Sequence, residues 1–483
     1  MTWEHFWQIA LSLLAVLELA IIVVTVPWIL TIKKESVSAV AWCLVVILLP
    51  FLGFVLFLIF GYNYVYRPLK RKRRHRVGFR ARNPAPRDEA ARGADGALSD
   101  GTWNNLGLLA ARLGSFPVSH GNRVTLYHDT RPAFDDLFAA VEAARHHVHL
   151  AFFIVQPDAT GRQMVELLTA KARQGVEVRL LYDAIGSRRL KGRFVRSLCD
   201  AGGQCSAFLP INLLKRRFQI NLRNHRKIIV IDGRVGFTGG LNIGDEYLGR
   251  DPRFGYWRDE FLRLEGPAVA ALQRVFAEDW DFASRESLKG AAYFPDLPRS
   301  GTAAVQVVES GPDQEVNTFR ELVYAAVTLA RERLWIATPY FVPDTGLLDA
   351  LRLAVRLGVD VRVLVPQRPD HWLPYFAGRY YVGGLLPEGI KVYHYSKGMM
   401  HAKFAVADGQ WGYVGTSNFD NRSLHLNFEV NCVLHTPALI AELEAAFSND
   451  LRDAIRLDPK VFGDRPFTGR LVENCCRLLS PVL

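Results

Sequence analysis

The run NHRKIIVIDGRVGFTGG, Asn224 to Gly240, sets a histidine, a lysine and an aspartate inside an apolar segment. Successive side chains of an extended chain alternate faces, so His225 and Lys227 point the same way while Asp232 has the opposite parity. Asp232 precedes Gly233 between two apolar runs, the pattern of a hairpin turn. From His401 the chain repeats the device as HAKFAVADGQWGYVGTSN, with Lys403 and Asp408-Gly409 at the same offsets. One such pair is weak evidence for a site, because a partly buried histidine is usually just hydrogen-bonded core. Two at matched positions are a pattern. Meeting across a pseudo-twofold interface, they would supply two imidazoles and two ammoniums at one place.

That composition suits a phosphodiester. The two lysines, with the side chains of Asn242 and Asn418 downstream of each motif, can hold nonbridging oxygens and stabilise charge that develops at phosphorus. One imidazole attacks; the other protonates the leaving alkoxide and then takes a proton from the incoming hydroxyl. Arg226 beside His225 disfavours protonation of that ring, which favours His225 as nucleophile and His401 as acid/base. This chemistry calls for no metal ion and no cofactor, and the six cysteines show no metal-type spacing.

The elements that must position these groups repeat as well. HVHLAFFIV and GVEVRLLYD precede the first motif, and RLWIATPYFV and GVDVRVLVP precede the second, each reading as a buried parallel strand. RLEGPAVAALQRVFAEDW and CVLHTPALIAELEAAFSNDL come after the motifs, each a strand turning into an amphipathic helix. The expected fold is therefore α/β, with two duplicated halves, each a mixed sheet flanked by helices, related by a pseudo-twofold.

The N-terminus is of another kind. Phe6 to Ile32 is apolar apart from Glu18, and Ala39 to Phe60 carries no charge, so each is long enough to cross a bilayer of roughly 30 Å. They read as a transmembrane helix hairpin, with Glu18 a tolerated polar residue in a tilted helix. A signal peptide fits poorly, for want of a basic start and a cleavage site. Ten lysines and arginines and no acid lie between Arg67 and Arg87, against two lysines between the spans. The positive-inside rule then sets this run and the remainder of the chain on the cytoplasmic side, with the basic run drawn to anionic headgroups. That run accounts for nearly all of the net charge of +11. The rest is close to neutral, which argues against a nucleic-acid enzyme. The cysteines indicate a reducing compartment.

The motifs resemble the phospholipase D superfamily and, within it, the bacterial cardiolipin synthase family. The narrower resemblance rests on NHRKIIVIDGRVGFTGGLNIGDEYLG, YWRDEFLRLEGPAV, LLYDAIGS, ATPYFVPD, MHAKFAVADGQWGYVGTSNFDNRSLHLNFEVN and AWCLVVILLPFLGFVLFLIFG, and covers nearly the whole chain. It implies phospholipase D-like halves and transfer of a phosphatidyl group from one phosphatidylglycerol to another, giving cardiolipin and glycerol through a phosphohistidine. The matching catalytic positions are His225, Lys227, His401 and Lys403, with Asp232 and Asp408 completing the motifs. Asp259 and Glu429 stand where acids would orient the imidazoles. Membrane phospholipids are the implied partners, in a bacterial inner membrane.

The expected division is 1–66, the hairpin; 67–105, a basic juxtamembrane segment and linker centred on Asn83 to Gly101; 106–295, the first half; and 296–483, the second. Met399 and Met400 read as core packing before lipid channel, and Phe208 to Leu222 as a solvated loop or an interfacial one. Rival functions are a hydrolase that passes the phosphatidyl group to water, a synthase with another phospholipid donor, a nucleic-acid phosphodiesterase, and an inactive scaffold. The last would show a broken histidine or lysine, and all four are present.

Overall fold

The computed structural model describes residues 3–33, 36–61, 66–82, 103–210 and 221–483. The linker expected at Asn83 to Gly101 and most of the Phe208 to Leu222 stretch lie outside the described residues. The chain divides into two compact units, Met1–Lys72 and Arg73–Leu483.

In the first unit, one helix among the described residues, Trp3–Ile32, is long and apolar enough to cross a membrane over His5–Ile32. The second apolar run is broken into Ser36–Leu48, Pro50–Leu56 and a π-turn at Phe57–Gly61. Proline has no N–H to donate and disfavours helical backbone at the residue before it. Leu49 accordingly swings to φ −137° and the uninterrupted span expected from Ala39 to Phe60 does not form. Ile29, Ala39, Val46 and Phe57 still pack into a small core.

The second unit is α/β. Its strands in chain order begin with β1 (Ser119–Tyr127), β2 (His147–Phe152), β3 (Glu177–Asp183), β4 (Gln204–Phe208), β5 (Ile228–Ile231), β6 (Val235–Gly239), β7 (Tyr256–Arg258) and β8 (Phe261–Glu265). They continue with β9 (Ala303–Ser310), β10 (Arg333–Ala337), β11 (Phe341–Val342), β12 (Asp360–Pro366), β13 (Lys391–Tyr395), β14 (Gly398–Met400), β15 (Phe404–Ala407), β16 (Trp411–Gly415), β17 (Phe419–Asp420), β18 (Glu429–Leu434) and β19 (Ala454–Arg456). Fifteen of them form one sheet in the order β19-β13-β12-β10-β15-β16-β18-β9-β1-β8-β6-β5-β2-β3-β4. Outward from the β9–β1 join, the arm β1-β8-β6-β5-β2-β3-β4 has the same plan as the arm β9-β18-β16-β15-β10-β12-β13.

The apolar runs read as buried parallel strands are that: β2 pairs parallel with β3, and β10 with β12, while the motif strands β5 and β15 join them antiparallel. Each arm has its own core. Leu150, Leu168, Leu180 and Ile229 belong to one, and Leu322, Ile336, Leu351 and Val363 to the other. The helix Asn104–Arg112, most of which falls where the first half was expected to begin, buries Leu106 and Ala110 in the second core, to which Phe319 also belongs. Met399 packs within the first core.

The basic run also departs from expectation. Tyr66–Arg82 is helical, and within the second unit Arg76 Nη2 donates to Glu309 at 2.9 Å, with Asp313 at 3.8 Å. Arg80 reaches Glu309 and Glu278, and His75 lies 3.0 Å from Asp281. Arg76 and Arg80 are held by carboxylates of the second unit, because buried acids require partners and the run supplies them.

Candidate active site

His225 and Lys227 lie in the extended entry to β5, and His401 and Lys403 in that to β15. What neighbours them is set by backbone pairing. The amide of His225 donates to Phe428 O at 2.9 Å, so the first motif runs alongside the strand that carries Glu429. The amide of His401 donates to Arg258 O at 2.7 Å, and β14 pairs parallel with β7, so the second motif runs alongside Asp259.

The acids therefore cross over. Glu429 Oε2 lies 2.9 Å from His225 Nδ1, and Asp259 Oδ2 lies 2.6 Å from His401 Nδ1. Each carboxylate is itself held: Glu429 accepts from Thr416 Oγ1 at 2.5 Å and Asn427 Nδ2 at 3.2 Å, and Asp259 Oδ1 accepts from the Glu260 amide at 2.8 Å. A ring held by a carboxylate at Nδ1 has its tautomer fixed and presents Nε2 outward. Aromatic rings pack beside the imidazoles, Phe153 at 4.9 Å from His225 and Trp257 at 5.0 Å from His401, centroid to centroid.

Both lysines are fully buried. Lys227 Nζ donates to His225 O at 2.8 Å, and Lys403 Nζ lies 2.9 Å from His401 Nδ1 and also reaches His401 O. Burial pushes His225 down to about 4, and Lys227 and Lys403 push the same way against Glu429. His401 falls through burial and the neighbouring Lys403. Burial takes Lys227 well below the usual lysine range and Lys403 down to about 8. Asp259 and Glu429 would be raised by burial, yet their cationic neighbours hold both below the usual carboxylate range. Lys403 acts on His225 and Lys227 as well as on His401, which sets the two motifs in one electrostatic cluster.

Arg226 is not among the groups that depress His225. Its Nη1 pairs with Asp279 Oδ2 at 2.7 Å, Glu309 lies 3.7 Å away, and its Nε donates to Glu429 O at 3.1 Å. The influence expected of its charge on the ring is corrected accordingly; burial and the two lysines do that work.

Asp232 and Asp408 do not join the histidines. They occupy the far ends of the β5–β6 and β15–β16 hairpins, about 20 Å away by strand rise. Both have left-handed backbone, φ 53° and 51°, ahead of Gly233 and Gly409 at 65° and 66°, as a two-residue hairpin turn needs. Asp232 accepts from the amides of Arg145, His146 and His147 at 2.7 to 2.9 Å, and Asp408 from those of Arg331, Glu332 and Arg333 at 2.8 to 2.9 Å. They tie each motif hairpin to the start of β2 or β10.

Asn242 Nδ2 donates to Tyr247 Oη at 3.1 Å and its Oδ1 accepts from the Ile154 amide at 3.1 Å. Asn418 Nδ2 donates to Asp420 Oδ2 at 3.1 Å. Each amide nitrogen retains a second hydrogen for a ligand. Sequence reasoning missed Thr416 and Asn427, which hold Glu429, and Asp183, which accepts from the Asn224 amide at 3.0 Å. It also missed Asp370, 2.5 Å from Tyr340 Oη and acting on His401 and Lys403. Asp183 and Tyr340 lie within LLYDAIGS and ATPYFVPD, two of the segments that carry the family resemblance, which is the signal that could have found them.

An α/β sheet bearing two crossed His-carboxylate pairs with buried lysines defines a phospholipase D-like architecture. The family model "Cardiolipin synthase, PLD-like domain" matches residues 137–280 and 323–451, and "Phospholipase_D-nuclease N-terminal" matches 19–61. A cardiolipin synthase of Geobacillus kaustophilus is 41% identical over 93% of this chain and 90% of its own. The major cardiolipin synthase of Bacillus subtilis is 37% identical over 99% of each chain. The crystal structure of phosphatidylserine synthase from Haemophilus influenzae Rd KW20 superposes with a TM-score of 0.59 at 16% identity, covering 79% of this chain and 100% of that one, a likeness of fold. The chain belongs to the cardiolipin synthase family with phospholipase D-like domains.

Proposed function

We propose that the chain transfers a phosphatidyl group from one phosphatidylglycerol to another, releasing glycerol and forming cardiolipin. The observation that carries this reading is the crossed pairing of His225 with Glu429 and of His401 with Asp259 around two buried lysines. His225 Nε2 attacks phosphorus while the bond from phosphorus to the glycerol oxygen breaks. His401 Nε2–H protonates that oxygen and glycerol leaves. A hydroxyl of a second phosphatidylglycerol then gives its proton to His401, attacks the phosphohistidine, and releases His225. Neutral His225 is ready to attack at pH 7, and an anionic phosphate close to His401 favours the protonated acid there. Lys227, Lys403, Asn242 and Asn418 hold the nonbridging oxygens.

In this reading the two arms of the sheet are duplicated halves related by a pseudo-twofold, as their shared strand order supports. Asp232 and Asp408 position the motifs without touching substrate. The apolar N-terminal unit is a membrane hairpin whose first arm is the helix Trp3–Ile32 and whose second arm is broken at Pro50, and the basic run keeps the second unit on the cytoplasmic side of a bacterial inner membrane. Vesicles of phosphatidylglycerol alone test the reaction: purified protein should yield cardiolipin and glycerol in equal amounts by mass spectrometry. Phosphatidic acid as the main product would replace the transferase by a hydrolase.

A further inference from the structure

Away from the histidines, the helices Trp372–Leu385 and Phe467–Arg477 border a cavity of about 520 Å³. Four arginines line it, Arg352, Arg465, Arg470 and Arg477, against a single carboxylate among the described residues, Glu473. Glu473 is already engaged, accepting from Arg379 Nε at 2.8 Å and Arg465 Nη2 at 2.9 Å. The Nε atoms of Arg352, Arg465 and Arg477 are all buried without a hydrogen-bond partner among the described residues. Arg352 Nη1 pairs with Asp349 Oδ1 at 3.1 Å and its Nε lies 3.9 Å from Glu388 Oε1, while Arg477 Nη1 donates to Tyr380 Oη at 3.3 Å. Four guanidiniums against one carboxylate that is already engaged leave an excess of positive charge around the cavity, a cradle for an anion with several acceptor oxygens. Inorganic phosphate and a lipid phosphate share that chemistry.

The surroundings decide between them. At 100° per residue, Phe467, Leu471 and Leu478 fall within a narrow arc on the outer side of the helix Phe467–Arg477 and its end, and they are 70%, 51% and 71% exposed. Arg470 and Arg477 fall on the flank of that arc and line the cavity. An exposed apolar stripe edged by arginines is the composition of a helix lying in a membrane interface. Leu348, Tyr381 and Phe462, also in the lining, offer apolar contact to the glycerol and acyl portion of a lipid and nothing to a free ion.

We propose that this cavity binds the phosphate of an anionic phospholipid, with the Phe467, Leu471 and Leu478 face resting on the bilayer that carries it. The site is separate from the histidine cluster and holds whether or not the chain is a transferase.

The test is photolabelling of the full chain in a neutral detergent by phosphatidic acid bearing a diazirine on an acyl chain, with the labelled sites located by peptide mapping. Label should fall on the peptides spanning Tyr380–Leu386 and Phe462–Arg477. Excess phosphatidic acid should reduce it at least fivefold, and equimolar phosphatidylcholine or inorganic phosphate should not. Arg470→Gln removes an exposed side chain that makes no ion pair among the described residues, so the fold should be retained. Together with Arg477→Gln it should reduce this label fivefold or more, with labelling near His401 unchanged. Absence of label on these peptides, label indifferent to both substitutions, or equal displacement by inorganic phosphate or phosphatidylcholine would each overturn the assignment.

Discussion

Glu429 Oε2 lies 2.9 Å from Nδ1 of His225, 204 positions earlier in the chain, and the two belong to opposite arms of the sheet. Asp259 stands in the reciprocal relation to His401, 142 positions later. Neither arm contains a complete histidine-carboxylate unit, so the site exists only where both meet.

Because each acid fixes its imidazole's tautomer and supports the ring when charged, we predict that Glu429→Gln and Asp259→Asn each lower kcat by about 10²- to 10⁴-fold, the range for removing such a charge from a catalytic histidine. The two should differ in pH dependence. Loss of Glu429 removes an influence that raises His225, leaving the nucleophile neutral to lower pH. Loss of Asp259 removes one that raises His401, making the protonated acid scarcer as pH rises. Superimposable pH–rate profiles for the two variants would contradict the division of roles.

The lysines set a second pH limit. Lys403, brought down to about 8 mainly by burial, is charged below that value and neutral above it. His225, at about 4, is neutral above that value and protonated below it. Since kcat/KM reports the free enzyme, loss of the His401 proton already lowers it on phosphatidylglycerol in mixed micelles as pH rises past neutrality, and we expect the fall to steepen by about a further tenfold per unit above pH 8. No steepening between pH 8 and 10 would show that the Lys403 charge is not needed.

Asp232 gives a different signature. Its carboxylate accepts three backbone N–H bonds, which hold it below the usual range against the raising effect of burial. A depressed folded-state carboxylate contributes stability present above the unfolded value, near pH 4, and lost as pH falls through the folded one. Asn tolerates the left-handed backbone here, so Asp232→Asn isolates the hydrogen-bond loss from strain. We predict a cost of about 1–3 kcal/mol, read by thermal unfolding at pH 7, with the difference from the unsubstituted chain shrinking below pH 4. Specific activity of the folded fraction should stay within about twofold; a loss of 10²-fold without destabilisation would make Asp232 a participant in the chemistry.

Much of this was legible because local rules govern it. The His-x-Lys parity, the Asp-Gly turns and the continuous apolar strands depend on neighbours one to eight residues away. The crossing of Glu429 to His225 was not, since it arises from Phe428 pairing with the first motif, a contact that no local pattern encodes. Arg226 misled for the same reason: its sequence neighbour is His225, but its charge is taken up by Asp279. The break at Pro50 was visible in principle, and hydropathy alone passed over it. Leu106 and Ala110 were assigned to the nearer half, yet a short helix can reach either core.

The assignment of the nucleophile has a direct test. With a phosphatidyl ester whose leaving group needs no proton, His401→Ala should still accumulate phosphoenzyme and His225→Ala should form none. Peptide mapping of the labelled protein should locate phosphorus on His225. Label on His401 reverses the roles, and label on neither removes the covalent step.

The basic helix supplies the last prediction. Arg76 is buried against Glu309, and Glu309 also approaches Arg226, the residue after the proposed nucleophile. A chain beginning at Arg73 keeps this network, whereas one beginning at Gly101, after the linker, leaves Glu309 without Arg76 and Arg80. Removing one partner of a buried pair costs about 3–5 kcal/mol, because the remaining charge stays desolvated. The shorter chain should therefore unfold at a lower temperature in detergent and show a lower kcat on dispersed lipid, through the loosened seat of Arg226. Glu309→Gln should narrow the difference in stability between the two truncations, since it removes the charge that the missing arginines would have met. Equal unfolding temperatures for the chains beginning at Arg73 and Gly101 would reduce these cations to a charged tether with no part in holding the site.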